Sequence, residues 1–254
     1  MANDYIEIFM GNIFTKTVKR RLLQGTMIGV AGLVAIVTPA IAQESQPAGY
    51  LPGVGVDLLQ VLPPAPEPGT PRYDADRRTF RETRKLLGTP RGEQAVADVR
   101  LDVPTMLADF SPAAGRRLTP ESNPALTLLL RRMQPDIEAP VKAAKAVGHR
   151  LRPFHLDKGE ICQSRDMVPD FDYPSGHASW GTSVALVLAE LIPDRVTEIL
   201  TRGREYGDSR YICGAHNLSA VEAGRFGAAS TVARLHGDAG FRHDLDAARE
   251  ELAR

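Results

Sequence analysis

Apolar residues recur every three or four positions through much of the second half of this chain. Leu126, Leu129, Leu130, Met133, Ile137 and Val141 keep the helical period. Pro135 and Pro140, which lack an N–H, predict that this stretch splits into two helices. Residues 178–192 are apolar nearly all round (Trp180, Val184, Leu186, Val187, Leu188, Leu191), the pattern of a central buried helix. Residues 220–235 carry Ala223, Gly224, Gly227, Ala228 and Ala229, small residues that let helices approach closely. The stretch from Asp74 also reads as helix, with Asp74 or Asp76 as its cap, Phe80, Leu86 and Leu87 as its apolar side and Gly88 as its stop. Residues 241–254 form a last amphipathic helix. No alternating β-branched run is long enough to found a sheet, and no repeat is visible. The pattern predicts a single all-α domain over residues 72–254.

The N-terminal region follows another pattern. Lys16, Lys19, Arg20 and Arg21 precede an apolar run at residues 27–37, which ends at Ala40-Ile41-Ala42. A basic stretch, a short apolar core and an A-x-A site make residues 1–42 a signal peptide, with Met10 a second candidate start. The run is about half the ~20 residues a spanning helix needs, so no membrane span is expected after cleavage. Residues 43–71 read as a proline-rich extension, a tether, because five of the nine residues from Pro63 to Pro71 are proline.

Composition narrows the function classes. The 254 residues are 43% hydrophobic and 24% charged, which excludes a disordered polymer or a disulfide-dense miniprotein. Lys+Arg and Asp+Glu are both 31, so no net basic charge points to nucleic acid. Losing residues 1–42 leaves 27 basic against 29 acidic residues. Export places the chain where disulfides persist, so its two cysteines, Cys162 and Cys213, are expected to be bridged rather than two unrelated buried thiols.

Three segments concentrate residues suited to a phosphate. In Lys145-AVGHRL-Arg152-Pro153, seven residues make two helical turns, so Lys145 and Arg152 are expected on one face, with the helix ending at Arg152 before Pro153. Pro174-Ser175-Gly176-His177 precedes the buried helix: Ser caps it, Gly leaves its amide approachable, and His177 brings an imidazole to an anion-favouring N-terminus. Ser209-Arg210-YICGA-His216 adds a second guanidinium and an imidazole able to attack phosphorus. Read singly, each segment has an ordinary structural explanation: a solvated helix end, a plain Ser cap, a scattered His. Trp180 is core, close enough to His177 to line a pocket. His149, His155, His236 and His243 make no familiar metal pattern, and His243 with Asp244 and Asp246 reads as a solvated helix start.

Taken in order, the three segments resemble the signature of the phosphatidic acid phosphatase type 2 superfamily, and over roughly residues 50–235 the chain is most similar to class A bacterial nonspecific acid phosphatases. The resemblance implies a helical bundle of the type shared with vanadium haloperoxidases, and a periplasmic or secreted enzyme hydrolysing small phosphomonoesters. No metal or other cofactor is expected, and inorganic phosphate or vanadate would inhibit. Association of like copies is left open. Carried onto this chain, Lys145, Arg152, Ser175, Gly176 and Arg210 would hold the phosphoryl oxygens. His216 would form a phosphohistidine, and His177 would protonate the leaving alcohol.

One position departs from that pattern. The family's Asp four residues after the nucleophile is Ala220 here, and Glu222 is about 200° round the helix from it. His216 is therefore expected to lack a carboxylate at that helix position, leaving a carbonyl, a water or a distant carboxylate to orient it, and this predicts a slow enzyme that Ala220→Asp would accelerate. It also raises a phosphate-binding pseudophosphatase as the alternative, with a vanadate-dependent haloperoxidase behind it.

Overall fold

The computed structural model describes residues 47–165 and 171–254. The expected signal peptide and start sites lie outside these residues. Among them are ten α-helices and no strand: α1 Leu58–Val61, α2 Pro71–Thr83, α3 Pro90–Ala97, α4 Val103–Ala114, α5 Pro124–Gly148, α6 Pro153–Leu156, α7 Gly176–Leu191, α8 Val196–Cys213, α9 Leu218–Leu235 and α10 Ala239–Leu252.

The all-round apolar helix, α7, is the axis of the bundle. It packs along α8 and α9, with α5 and α10 closing the remaining sides. Small residues set its distances. A Cβ on Gly181 would strike the Tyr206 ring, and one on Gly203 the Ala185 methyl, so α7 and α8 meet nearly backbone to backbone. Between α7 and α9 the close approach is at Gly224, where an added Cβ would lie 2.5 Å from the Ser175 carbonyl oxygen. The last helix buries Phe241, Leu245, Ala248 and Leu252, spaced four, three and four residues apart.

The expected split at Pro135 and Pro140 does not occur, because α5 runs unbroken through both. Each proline removes one ladder hydrogen bond and costs a few kcal/mol. Leu126, Leu129, Leu130, Met133 and Ile137 are no more than 2% exposed, and burying each such side chain contributes roughly 1.5–3 kcal/mol. The stripe outweighs the two lost bonds. The start of α2 also differs from expectation. Thr70 caps it, accepting from the Tyr73 amide at 3.3 Å with Pro71 in the first turn, so Asp74 and Asp76 lie inside the helix.

Where described, the stretch expected as a tether is folded onto the helices. The Tyr50 ring meets Phe241 edge-on and its hydroxyl donates to Asp244 at 2.8 Å. The backbone amides of Tyr50 and Leu51 donate to the Asp136 carboxylate at 2.7 and 3.1 Å. Leu58 and Leu62 are buried in a cluster with Val141, Ala144, Tyr173, Ala220 and Ala223. The prolines keep this stretch from forming more than the single turn of α1, but they leave its leucines free to bury themselves.

Candidate active site

The site forms where the N-termini of α7 and α9 meet the C-termini of α5 and α8. Ser175 caps α7, its hydroxyl accepting from the Ala178 amide at 3.3 Å, and its own amide donates to the Ala220 carbonyl of α9 at 2.9 Å. The α8 helix ends at Gly214, whose φ of 80° lets the chain double back. The amides of Ala215 and His216 then donate to the Arg210 carbonyl at 3.0 and 3.2 Å. That turn sets His216 beside Arg210.

The first segment is built differently from its sequence reading. Helix α5 stops at Gly148, with His149 left-handed at φ 45°, so Arg152 is not two helical turns from Lys145. The backbone of Arg150 instead accepts from the Asp172 amide at 2.8 Å. Arg152 is extended before Pro153, the conformation a following proline favours, and opens the single turn of α6. Lys145 is buried in the last turn of α5.

A cavity of roughly 260 Å³ is lined by Arg152, Gly176, His177 and Arg210, together with Gln163, Trp180, Leu101, Val141, Glu138 and Lys142. Lys145, Ser175 and His216 are buried and do not line it. Trp180 is both core and pocket wall, 2% exposed with its indole N–H on the Leu101 carbonyl at 3.1 Å. Arg210 is fully buried. One of its nitrogens donates to Gln163 Oε1 at 2.7 Å, while Nε and Nη1 have no hydrogen-bond partner among the described residues. Burial pushes its pKa down to about 10, so it stays cationic at neutral pH. Ser209, next to it, turns its hydroxyl away to Asp98 at 2.6 Å.

The two imidazoles are held in defined tautomers. His177 Nε2 lies 3.0 Å from the Val99 carbonyl, which only accepts, so Nε2 carries the proton. Burial, and then the Arg210 charge, hold His177 well below the usual histidine pKa, so it rests neutral. His216 Nδ1 lies 2.8 Å from the Asp172 carbonyl oxygen and 3.0 Å from Asp172 Oδ1, both acceptors. Its Nε2 is 2.9 Å from Arg152 Nη1, which can only donate. His216 is therefore the Nδ1–H tautomer with its lone pair on Nε2.

Of the substitutes left open by Ala220, both a carbonyl and a distant carboxylate are present, supplied by Asp172 from the segment before α7. Asp172 is fully buried, and its carboxylate also accepts from the Asn217 amide at 3.0 Å and Asn217 Nδ2 at 2.8 Å. Burial pushes its pKa up, opposed by Arg150 and the Asn217 donors. Arg150 Nη1 is 3.5 Å from Asp172 Oδ2 and Nη2 is 2.7 Å from Asp76 Oδ2. Asp76 in turn accepts from the Ser219 amide at 2.8 Å and hydroxyl at 2.6 Å. Two buried carboxylates thus meet the amides that open α9, where the helix dipole favours them, with one guanidinium between. Glu222 is at the surface, 3.9 Å from Arg72.

Sequence reasoning missed Asp172, Arg150, Asp76, Gln163 and Val99. Cys162 and Cys213 are bridged, with Cα atoms 4.8 Å apart, and the bridge places Gln163 against Arg210. Of the remaining histidines, His243 is exposed beside Asp244, and His236 Nε2 meets Glu190 at 2.8 Å. Among the described residues no three His, Cys, Asp or Glu side chains converge as a metal set would, and no helix is long and apolar enough to cross a membrane.

Residues 125–240 match the model of the PAP2 superfamily. The chain is 42% identical over 199 residues to an acid phosphatase of Zymomonas mobilis, covering 77% of this chain and 75% of that one. It is 37% identical over 203 residues to a non-specific acid phosphatase of Providencia stuartii, covering 78% and 82%. It is 34% identical over 224 residues to that of Salmonella typhimurium, covering 87% and 90%. With this helical bundle, one cavity lined by His177, Arg152 and Arg210, and a second imidazole, His216, 2.9 Å from Arg152, the chain belongs to the bacterial non-specific acid phosphatases of the PAP2 superfamily.

Proposed function

We propose that this protein is an exported, metal-independent acid phosphatase that hydrolyses small phosphomonoesters through a phosphohistidine on His216. The observation that carries the reading is Arg210. A guanidinium buried with two unmet nitrogens is costly, and the cost is removed when an anion accepts from them. Arg210 lines the same cavity as Arg152 and His177, and that trio suits a phosphoryl group.

In the proposed cycle the phosphoryl oxygens accept from Arg210, Arg152, Lys145 and the amides opening α7, with Ser175 holding that helix end in place. Arg152 exchanges its bond to His216 for a phosphoryl oxygen, which frees the Nε2 lone pair. Nε2 then forms the P–N bond as the P–O bond to the leaving group breaks, and protonated His177 delivers a proton to the departing oxygen. Nδ1 keeps its hydrogen, so the phosphorylated ring is cationic. Water next attacks phosphorus, its proton passes to His177, and the P–N electron pair returns to Nε2. The fixed guanidiniums neutralise the charge that a metal would otherwise meet. Export through residues 1–42 would place this chemistry in the periplasm or outside the cell.

The test is hydrolysis of a chromogenic phosphomonoester from pH 4 to 8 with chelator present. Turnover that vanadate blocks and chelator does not is expected. Tight vanadate binding without turnover would favour the pseudophosphatase, and bromide oxidation after vanadate loading the haloperoxidase.

A further inference from the structure

We propose that Asp172 is the positioning residue for His216, supplying from the segment before α7 the carboxylate that the helix position of Ala220 lacks. The inference rests on the reading of His216 as nucleophile and adds what orients it. The two residues are 44 positions apart, yet Nδ1 of His216 lies 3.0 Å from Oδ1 and 2.8 Å from the backbone oxygen of the same aspartate. That bifurcated contact fixes both the ring plane and the proton on Nδ1.

Carbonyl and carboxylate do not act equally during reaction. In the resting enzyme the ring is neutral and either oxygen suffices. Once Nε2 bonds to phosphorus the ring is cationic, and the hydrogen bond to an ionised partner roughly doubles in strength. An interaction that strengthens as charge develops raises kcat rather than ground-state affinity. The groups around Asp172 demand the ionised, acceptor-only form: the Asn217 amide at 3.0 Å, Asn217 Nδ2 at 2.8 Å and the Arg150 guanidinium at 3.5 Å all donate. The carboxylate is also immobile. The Asp172 amide is tied to the Arg150 carbonyl at 2.8 Å, and Arg150 is anchored by Asp76 and Ser219, each at 2.7 Å.

Ala220 fits this arrangement. It is fully buried in an apolar cluster with Leu58, Leu62 and Tyr173, where a carboxylate would be desolvated without a partner of its own. With Asp172 and Asp76 in place, Ala220→Asp adds a third buried negative charge and is expected to slow the enzyme rather than accelerate it.

The decisive variant is Asp172→Asn, which keeps the backbone carbonyl and removes only the charge. Expected is a fall in kcat on the order of 10²- to 10⁴-fold, the range for orienting and acid–base groups in other enzymes. KM should stay within about threefold of wild type, the signature of an interaction made mainly in the transition state. A folded Asp172→Asn with wild-type kcat, or one whose KM rises as far as its kcat falls, overturns the proposal. An inactive wild type would instead overturn the phosphatase reading. A measurement on ¹⁵N-histidine-labelled wild type stands independent of turnover and of the variant's folding. His216 should carry its proton on Nδ1, far downfield as a carboxylate-bound proton is, and move further downfield with vanadate. A proton on Nε2, or a shift like that of a carbonyl-bound imidazole, contradicts it.

Discussion

Gly224→Ala tests whether the closeness of α7 and α9 sets the geometry of the site. The new Cβ would lie 2.5 Å from the Ser175 carbonyl oxygen, 3.1 Å from Ala178 Cβ and 3.2 Å from the Ser179 amide nitrogen. The first of these is backbone and cannot rotate aside. Ordinary contact begins near 3.4 Å and real Cβ atoms essentially never come within 3.0 Å, so α9 must move off α7 by about 0.5–0.9 Å. The Ser175–Ala220 bond stitches the helices at that point, and Gly176 and His177 follow immediately. Overpacking of this kind costs about 1–3 kcal/mol, and the rigid partner puts this site in the upper half. Replacing a helical glycine returns up to about 1 kcal/mol. The net loss of about 1–2 kcal/mol corresponds to melting roughly 2–8 °C lower for a chain of this size. Misplacement approaching 1 Å can cost up to ~10²-fold in rate, so kcat/KM should fall at least about tenfold. The assays are thermal melting and phosphomonoester hydrolysis. Gly148→Ala, where no atom lies within 4 Å of the added Cβ, is the control and should not melt lower. A Gly224→Ala enzyme that melts and turns over like wild type refutes the reasoning.

Two further outcomes follow from the same geometry. His177 is held below the usual histidine pKa by burial and Arg210, while its proposed acid role needs the protonated ring, so kcat/KM should rise as pH falls from 8 through 6.5. The same depressed pKa means the unfolded chain takes up a proton below pH ~6.5 before the folded one does. Wild type should therefore lose melting temperature between pH 7 and 5 more steeply than His177→Gln, and parallel curves would show that His177 titrates normally. The Cys162–Cys213 bridge closes a 51-residue separation, which stabilises by up to about 4 kcal/mol in the chain-entropy picture. Cys162→Ser with Cys213→Ser should melt lower and bind vanadate more weakly, because Gln163 is released from Arg210, and unchanged vanadate affinity would separate the bridge from the site.

Much of the site was legible in the sequence because its parts are short and local. The Ser175 cap, the turn after Arg210 and the small residues of α9 each follow from a few neighbouring positions. Asp172 was not legible, since its partner His216 is distant in sequence and nothing in a local pattern joins them. Arg150 was hidden for a related reason: the helical reading of Lys145-AVGHRL-Arg152 singled out only Lys145 and Arg152, seven positions apart. The structure ends that helix at Gly148 and buries Arg150 between two carboxylates. The unbroken α5 shows the opposite error, where proline was given more weight than a fully buried stripe on the same helix.

In the proposed mechanism His216 carries the phosphoryl group. Rapid acid-free quenching of the enzyme with a phosphorus-labelled monoester, followed by peptide mapping under alkaline conditions, tests it directly. An acid-labile, base-stable phosphate is expected on the peptide containing His216, accumulating further in His177→Gln when the leaving group needs no proton. Label on His177, or turnover with no phosphoenzyme and retained activity in His216→Ala, would contradict it.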